Sequence, residues 1–492
     1  MYAPNAGNKN IRFYLSGDDN TYLDLSSIRV FATLQNTDTA RTKFLRPLAG
    51  LHGFFSRYRA TVGGQLVQDI IEYNRHCELY NSFKPKDVRD MDDIENSANP
   101  RWDADYHDYA NGLDFLLQAT TTGATNDTGV VTVNTAGDRN EWGRIDKRYT
   151  RHSLTGIPGA NGKARFSHKP CCGLLESNYY LPLRYAPLEL EFTIVPNETD
   201  PVVVPSAYNA GTDANGYYFR NNEADDTEGD TTTKWELNNV IIRAEVITLD
   251  NTVNNNIVSH LLGGSSLKLV FPMYHTITQT FNNGGGEINM NIVKSSSKLT
   301  GAFITLYRTP RQGEITPENQ YLLDNYVYKR WNYFYNNQIN ARINDMNPAN
   351  TDALQGKGFQ DYGRNLSWQI QLGNKKYPEF ESQSMAETFY YLRRAIHYMN
   401  PDQDALCFSY RQYRENKFII GMSFEKMADV NFTGINTKMG SLITFKLKGT
   451  EGALPAGEEV QEIFCHLISE TVLEIRESGS IVYDESSSFY IN

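Results

Sequence analysis

The chain of 492 residues has few cysteines, no long apolar run and no basic arm, and each shortage excludes a class of protein. Five cysteines, of which only Cys171 and Cys172 are adjacent, fit neither a disulfide framework nor a paired-cysteine zinc site, so free thiols are expected. No segment approaches the roughly 18 apolar residues that a membrane helix needs. The N-terminal segment MYAPNAGNKN lacks the charged-then-apolar order of a signal peptide, which indicates synthesis in the cytosol rather than secretion.

The balance of charges argues against binding to nucleic acid. The formal net charge is −11 at pH 7 with a pI near 5.4, and neither end carries a segment rich in lysine or arginine. Such segments bind DNA because they displace the counterions that surround its phosphates. We therefore expect no direct binding of this chain to a genome.

Catalytic signatures are missing as well. The sequence contains no P-loop, HExxH or GxSxG motif, and the acidic run EADDTEGD lacks the ordered spacing of a calcium loop. Four histidines without any spacing relation are interpreted as structural or surface residues: His168, His260, His275 and His466. We predict no catalytic residue, no metal site and no cofactor. The two catalytic carboxylates of a glycosidase come from distant positions in the sequence and leave no local motif. A carbohydrate-cleaving β-sandwich is therefore kept as an alternative.

Aromatic residues and glycine are plentiful. Aromatic residues make up 12% of the chain, with 31 Tyr and 24 Phe, and 36 glycines separate many short apolar runs. This composition favours sheets with long loops over helical bundles, and the length allows two or three domains. We predict an all-β fold in two domains.

The stretch 235–281 divides the chain into two similar halves. Its first part alternates apolar and polar residues, as a strand with one better-buried face does. A short helix follows, with Asp250 or Asn251 as its N-cap and Gly263-Gly264 as its stop. We predict that the apolar face of this helix consists of Val253, Ile257, Leu261 and Leu262. A second β-rich region begins after the two glycines.

Both halves follow the same plan, and we expect domains at residues 1–262 and 263–492. Clear local signals are a hairpin turn at Gly63-Gly64 and a helix from Ser384 to Asn400 that opens with a Ser384–Glu387 capping box. Each half has about eight short strands, a short helix and long loop excursions, which is the strand count of a jelly roll. The excursions span residues 84–163 and 197–234 in the first half and 310–363 in the second.

A tyrosine-rich segment, residues 321–335, lies within the third excursion. Tyr, Trp and Arg dominate the contact hot spots of protein interfaces, although the same residues also stack on bases or sugars. We predict that six residues of this segment form a subunit interface: Tyr326, Tyr328, Arg330, Trp331, Tyr333 and Tyr335.

Several stretches resemble the double jelly-roll major capsid proteins of double-stranded DNA viruses, the lineage of polinton-like viruses, virophages and nucleocytoplasmic large DNA viruses. In that family the first roll ends in a strand with a Leu-Asp pair and a short helix, which residues 246–262 resemble. Residues 288–305 resemble the strand pair that opens the second roll, without its His-Pro. Residues 418–447 are similar to the last strands, and Tyr22-Leu23-Asp24-Leu25 with residues 53–73 resembles the polinton-like branch.

The resemblance implies a fold, an assembly and partners. The fold is two consecutive eight-stranded jelly rolls with long loop excursions and a few short helices. The assembly is a homotrimer whose six rolls form a pseudo-hexameric capsomer, and capsomers tile an icosahedral shell around a double-stranded DNA genome. The implied partners in the virion are a penton protein, minor or cement proteins and a packaging ATPase. The charge of the genome is then met by other proteins, an inner membrane or counterions.

Two alternatives belong to other classes of protein. Another virion structural protein, such as a fibre or a single-roll coat component, predicts one roll beside an unrelated module. A carbohydrate-binding or carbohydrate-cleaving β-sandwich predicts a secretion signal and clusters of surface tryptophan. This sequence has five dispersed tryptophans and no signal pattern.

Overall fold

The protein is described by a computed structural model with antiparallel sheets throughout, and the all-β prediction is confirmed. Apart from isolated positions, the described residues are 2–95, 157–202, 232–281, 287–308, 367–399, 417–425, 434–438, 442–448 and 460–483, together with Phe334, Leu406 and Tyr413.

In the described part of the first half, twelve strand segments form a four-stranded sheet of order β1-β10-β5-β6, two three-stranded sheets of orders β11-β3-β8 and β12-β2-β9, and the small pair β4-β7. Their bounds are β1 (Asn10–Leu15), β2 (Thr21–Asp24), β3 (Arg29–Asn36), β4 (Phe44–Leu45), β5 (Phe55–Val62), β6 (Gln65–Ile71), β7 (Ile157–Pro158), β8 (Lys163–His168), β9 (Tyr180–Pro182), β10 (Leu188–Ile194), β11 (Trp235–Arg243) and β12 (Val246–Thr248).

In the described part of the second half, nine strand segments form a sheet of order β13-β20-β15-β18, with β21 paired to β20, and a sheet of order β14-β19-β16-β17. Every strand pairing among the described residues joins two strands of the same half. The bounds are β13 (Leu267–Thr280), β14 (Ile288–Ile292), β15 (Leu299–Arg308), β16 (Ser367–Leu372), β17 (Lys375–Ser382), β18 (Ile419–Ser423), β19 (Ile443–Lys448), β20 (Val460–Arg476) and β21 (Gly479–Tyr483).

The strand β10 shows how the sequence pattern sets the core. Its apolar residues from Leu188 to Ile194 are buried at every second position, because successive side chains of a strand point to opposite faces. On its other face Glu191 lies opposite Arg12 of β1 and Arg59 of β5. Both arginines form ion pairs with Glu191, at 3.4 and 3.7 Å. One face of the sheet therefore packs inward and the other carries a ladder of charges.

The predicted hairpin between β5 and β6 is confirmed. Gly63 and Gly64 connect the two strands with φ angles of 55° and 80°. Two consecutive residues with positive φ are typical of the tight turn whose twist matches that of the strands, and glycine adopts this conformation without steric cost.

Five helices lie in the described residues: α1 (Tyr73–Phe83), α2 (Lys86–Glu95), α3 (Gly173–Glu176), α4 (Asn251–Leu262) and α5 (Met385–Met399). The Ser384 cap of α5 is formed, since the Glu387 amide donates to Ser384 Oγ at 3.1 Å. The Glu387 carboxylate accepts from the amide of Gln383, one residue before the expected donor, at 2.8 Å. The helix α2 occupies the start of the excursion that we predicted at residues 84–163, where no helix was expected.

The helix α4 begins as predicted, because the Asp250 carboxylate accepts a hydrogen bond from the Thr252 amide at 3.0 Å. The predicted apolar stripe is wrong. Leu261 is buried, but Val253 and Leu262 are 48% and 59% exposed. The helix instead packs against the first half through a polar residue. Asn254 is buried, and its side-chain oxygen accepts a hydrogen bond from Tyr22 Oη at 3.0 Å.

Candidate functional site: the interface between the two halves

The helix α1 is the element that joins the two halves. It follows β6 directly, and ten of its eleven residues are buried, including polar ones such as Asn74 and Glu78. An ordinary surface helix buries only one apolar stripe and leaves a polar face in water. The burial of α1 on all sides therefore indicates that it is packed between two bodies.

Aromatic residues of α1 contact the second half of the chain. The ring of Tyr80 lies 4.6 Å from that of Tyr274 on β13, and the ring of Phe83 lies 4.7 Å from that of Phe303 on β15, measured between centroids. Rings at these separations stabilise a contact by about 0.5–1.5 kcal/mol beyond their burial. The helix thus carries apolar anchors for the second half.

The guanidinium of Arg75 contacts two further rings of the second half. Its central carbon is 5.4 Å from the centroid of Tyr307 and 5.2 Å from that of Phe464. On its own helix Arg75 pairs with Glu72 at 2.5 Å. The arginine side chain is almost fully buried, so these cation–π contacts are desolvated and correspondingly strong.

A buried carboxylate forms the ionic centre of this interface. Glu78, with no exposed side-chain surface, pairs at 2.8 Å with Lys417 of the second half, which is 1% exposed. Arg89 of α2 lies 3.6 Å from the same carboxylate and His52 lies 3.7 Å away. Removing one partner of a buried pair is costly because it leaves an uncompensated charge. The pair therefore ties the two halves to one geometry.

Histidines from both halves meet beside this centre. The rings of His76 on α1 and His466 on β20 lie 5.8 Å apart, and His168 hydrogen-bonds with Tyr73 Oη at 2.8 Å. Burial lowers the pKa of His76 well below its usual range, and His466 lowers it further. Burial, with a smaller effect of Arg75, lowers the pKa of His466 to about 3. Both rings are therefore neutral at physiological pH.

The four histidines singled out in the sequence occupy different places. His168 and His466 are buried in the interface, whereas His260 is exposed on α4. His275 on β13 contacts Ser469 Oγ at 3.3 Å. Sequence reasoning missed His52 and His76, since their partners lie far away in the chain. The one available signal was that helix α1 has no consistently polar face.

Close backbone contacts complete the interface. The carboxamide of Gln68 on β6 accepts from the Tyr274 amide at 3.1 Å and donates to the Tyr274 carbonyl. A Cβ atom on Gly173 of α3 would lie 1.9 Å from the carbonyl oxygen of Pro272 on β13. Only glycine fits at that position, because the backbones of the two halves approach too closely for a side chain.

The predicted interface residues Tyr326, Tyr328, Arg330, Trp331, Tyr333 and Tyr335 lie outside the described residues. In the part of the chain that the structure describes, no group of three or more His, Cys, Asp or Glu side chains is placed to hold a metal ion. No helix among the described segments is long and apolar enough to cross a membrane.

Comparisons with known proteins give matches in structure only. No protein-family model matches the sequence, and no curated protein matches it. The structure of VP54 of the virus PBCV-1, fitted into a reconstruction of the virophage Sputnik, is similar with a TM-score of 0.50 at 10% identity. That match covers 98% of this chain and 93% of that chain. This chain has a double jelly-roll fold.

Two further double jelly-roll structures align over nearly the whole chain. The quasi-atomic PBCV-1 virus capsid has a TM-score of 0.50 at 10% identity and covers 97% of both chains. The Sputnik virophage structure has a TM-score of 0.52 at 10% identity and covers 99% of this chain and 88% of that chain. The predicted fold is thereby confirmed.

Proposed function

We propose that this protein is the major capsid protein of a double-stranded DNA virus, a structural protein without catalytic activity. The observation that carries the proposal is the end-to-end structural match to the PBCV-1 and Sputnik structures, at similar chain length and with both rolls included. The alternative of a fibre or single-roll coat component expects an unrelated second module. The described strands instead form sheets of both rolls.

In the proposed assembly, three copies form a pseudo-hexameric capsomer from six rolls, and capsomers tile an icosahedral shell. The rolls correspond to residues 1–262 and 263–492, a division supported by strand pairings that stay within each half. A tile of this kind must resist bending between its rolls. The buried Glu78–Lys417 pair and the aromatic contacts of α1 supply that rigidity.

Contacts between copies are proposed in the long excursions, above all in the segment 321–335. In a closed trimer each contact is heterologous and is repeated three times, so a modest aromatic patch acts three times per capsomer. Tyr, Trp and Arg suit such a patch because they are enriched at the energetic hot spots of protein interfaces. Trp331 and Tyr333 are the proposed anchors.

The proposed location is the virion, after synthesis in the host cytoplasm. The net charge of −11 gives this chain no means of neutralising packaged DNA, so minor proteins, an inner membrane or counterions must do so. A penton protein is a further partner, since a pseudo-hexameric tile leaves the five-fold vertices of an icosahedral shell open. Minor or cement proteins are proposed as additional partners.

The proposal is tested by negative-stain imaging of the purified, recombinant full-length chain. Particles with a hexagonal outline and three-fold symmetry are expected, because six similar rolls are arranged around one axis. Elongated fibres or isolated two-lobed particles, in preparations that are folded by circular dichroism, would refute the capsomer.

A further inference from the structure

Two cysteines from different elements meet beside α1. The backbone amide of Cys171, in the connection from β8 to α3, donates to Tyr73 Oη at 2.8 Å. Tyr73 lies one helical turn before Cys77, so both residues share a face of α1. Both thiols line one cavity, and the nearby Cys77 thiol raises the pKa of the Cys171 thiol. Cys77 is buried, whereas Cys171 is partly exposed.

A cavity gives small molecules access to this pair. It has a volume of about 710 Å³, lies between the two rolls, and is lined by both thiols together with Lys84, Glu176 and Tyr274. Cavities of about 300–1,000 Å³ are large enough for small-molecule ligands. The cavity is thus large enough to admit a tripeptide thiol beside the two cysteines.

The other described cysteines are placed differently. Cys172 is fully buried at the start of α3, and burial raises the pKa of its thiol to about 11. Cys465 is buried within β20. Neither residue lines the cavity. Within the described chain, selective oxidation is therefore possible only at Cys77 and Cys171.

We propose that Cys77 and Cys171 are a redox-switchable pair that closes to a disulfide when the protein meets a small-molecule disulfide such as oxidised glutathione. The Cys171 thiolate attacks one glutathione sulfur, which forms a mixed disulfide and releases one glutathione thiolate. The Cys77 thiolate then attacks the Cys171 sulfur and releases the second. Both cysteine protons end on the released glutathiones, so two cysteine thiols are oxidised and one disulfide is reduced.

The bond would lie within the first roll and would rigidify the surface against which the second roll packs. It would tie α1 to the connection that leads into α3, and both elements pack on β13, through the Tyr80–Tyr274 and Gly173–Pro272 contacts. It would also close a long loop, which restricts the unfolded chain. Outside the reducing cytoplasm the closed form would stabilise the subunit, and return to a reducing cytoplasm would reopen it.

The environment of the pair determines how fast the bond forms. The nearby Cys77 thiol, together with burial, raises the pKa of the Cys171 thiol, whereas the Lys84 ammonium lowers it. Only the thiolate is nucleophilic, so oxidation accelerates as the pH rises. Exposure to oxidised glutathione at about pH 8.5 is therefore the appropriate condition for a test.

The experiment is thiol mapping of the full-length protein, which is oxidised in its native state, then denatured, and then alkylated at its remaining thiols. We expect a peptide cross-linked through Cys77 and Cys171, with the remaining three of the five cysteines alkylated. We also expect a rise in Tm on the order of 5 °C that dithiothreitol reverses. Cys172→Ser is the matched control, because it changes the neighbouring thiol and should preserve both results.

Two variants separate the steps. Cys171→Ser should abolish the cross-link and the rise in Tm, and Cys77→Ser should stop at a mixed disulfide on Cys171. If wild-type protein keeps all five thiols, ends as the mixed disulfide, or forms its cross-link through Cys172, the proposal is wrong. The wild-type map alone decides this, so a variant that fails to fold does not affect the outcome.

Discussion

The side-chain amide of Gln68 hydrogen-bonds to both backbone groups of Tyr274, across the boundary between the rolls. The Gln68 oxygen accepts from the Tyr274 amide, and the Gln68 nitrogen donates to the Tyr274 carbonyl. Gln68 belongs to the edge strand β6 of the first roll and Tyr274 to β13 of the second. The edge of one sheet is thus joined to the other roll by a side chain instead of a backbone ladder.

Replacing Gln68 with Ala should destabilise the protein. Both backbone groups of Tyr274 would lose their buried partner, and an unsatisfied buried group costs about 1–3 kcal/mol. We expect the free energy of unfolding to fall by about 2–4 kcal/mol in urea titrations. Gln65→Ala, at an exposed position of the same strand, should change it by less than about 0.5 kcal/mol. Equal effects of the two variants would refute the role of Gln68.

Replacing Glu78 with Gln should cost about 3–5 kcal/mol, because Lys417 and Arg89 would both face an uncharged group inside the interface. Lys417→Met should cost less, since Arg89 still compensates Glu78. The comparison is made from urea midpoints. The partly exposed Lys448–Glu381 pair provides the control, and Glu381→Gln should cost about 1 kcal/mol or less. A larger cost for Lys417→Met than for Glu78→Gln would contradict this assignment.

Acid should destabilise the protein in the range where histidine titrates. The pKa values of His76, His168 and His466 are lowered from the ordinary 6.5, chiefly by burial. The unfolded chain therefore binds protons near pH 6.5 while the folded chain does not. Stability is fully present above pH 6.5 and is lost as the pH falls.

Between pH 7.5 and 5.5 we expect a loss of about 1.4 kcal/mol per buried histidine, or roughly 4 kcal/mol for three. Denaturant unfolding at the two pH values measures this loss. The double variant His76→Gln, His466→Gln should reduce it to about a third, whereas the exposed His260→Gln should leave it unchanged. A pH dependence that is the same in the double variant would exclude the histidine cluster as its source.

Replacing Gly173 with Ala should push the rolls apart. The new methyl group would overlap the backbone oxygen of Pro272, which cannot move without shifting β13. We expect a loss of about 3 kcal/mol in stability and faster proteolysis. Gly7→Ala is the control, because a Cβ there meets nothing within 4 Å. A Gly173→Ala protein as stable as this control would show that the contact is not tight.

The joint replacement of Trp331 and Tyr333 by Ala should weaken trimers without unfolding the rolls, because aromatic anchors supply most of the energy of an interface. Sedimentation velocity over a dilution series gives the dissociation constant. The exposed Tyr14 on β1 is a suitable control outside the segment. Unchanged trimers in the double variant would remove segment 321–335 from the subunit contact.

Local elements could be predicted from the sequence because their causes are local. The Asp250 cap, the glycine hairpin at Gly63-Gly64 and the cap at Ser384 each depend on residues at most a few positions apart. The fold was also predicted correctly, from the family resemblance. The strands themselves were recognisable because apolar and polar residues alternate along them, which determines the buried face. The prediction of an apolar stripe on α4 was wrong because this helix packs through the side-chain amide of Asn254.

The interface between the rolls could not be predicted in the same way. Glu78 and Lys417 are separated by 339 positions, and no periodic pattern reports a pair so distant. Aromatic and polar residues are distributed around all sides of α1. From the sequence alone, this pattern resembles that of a surface helix with a poorly defined apolar face. Polar residues of α1 are buried against groups of the second roll: His76 meets Tyr274 of β13 and His466 of β20, and Arg75 meets Tyr307 of β15.

The most direct measurement for the proposed capsomer is the solution mass of the purified, recombinant full-length chain by size-exclusion chromatography with light scattering. We expect a single species of three times the 56.0 kDa chain mass, stable to dilution and to moderate salt. A folded protein that elutes at the mass of one chain at every concentration would contradict the homotrimer and, with it, the proposed shell.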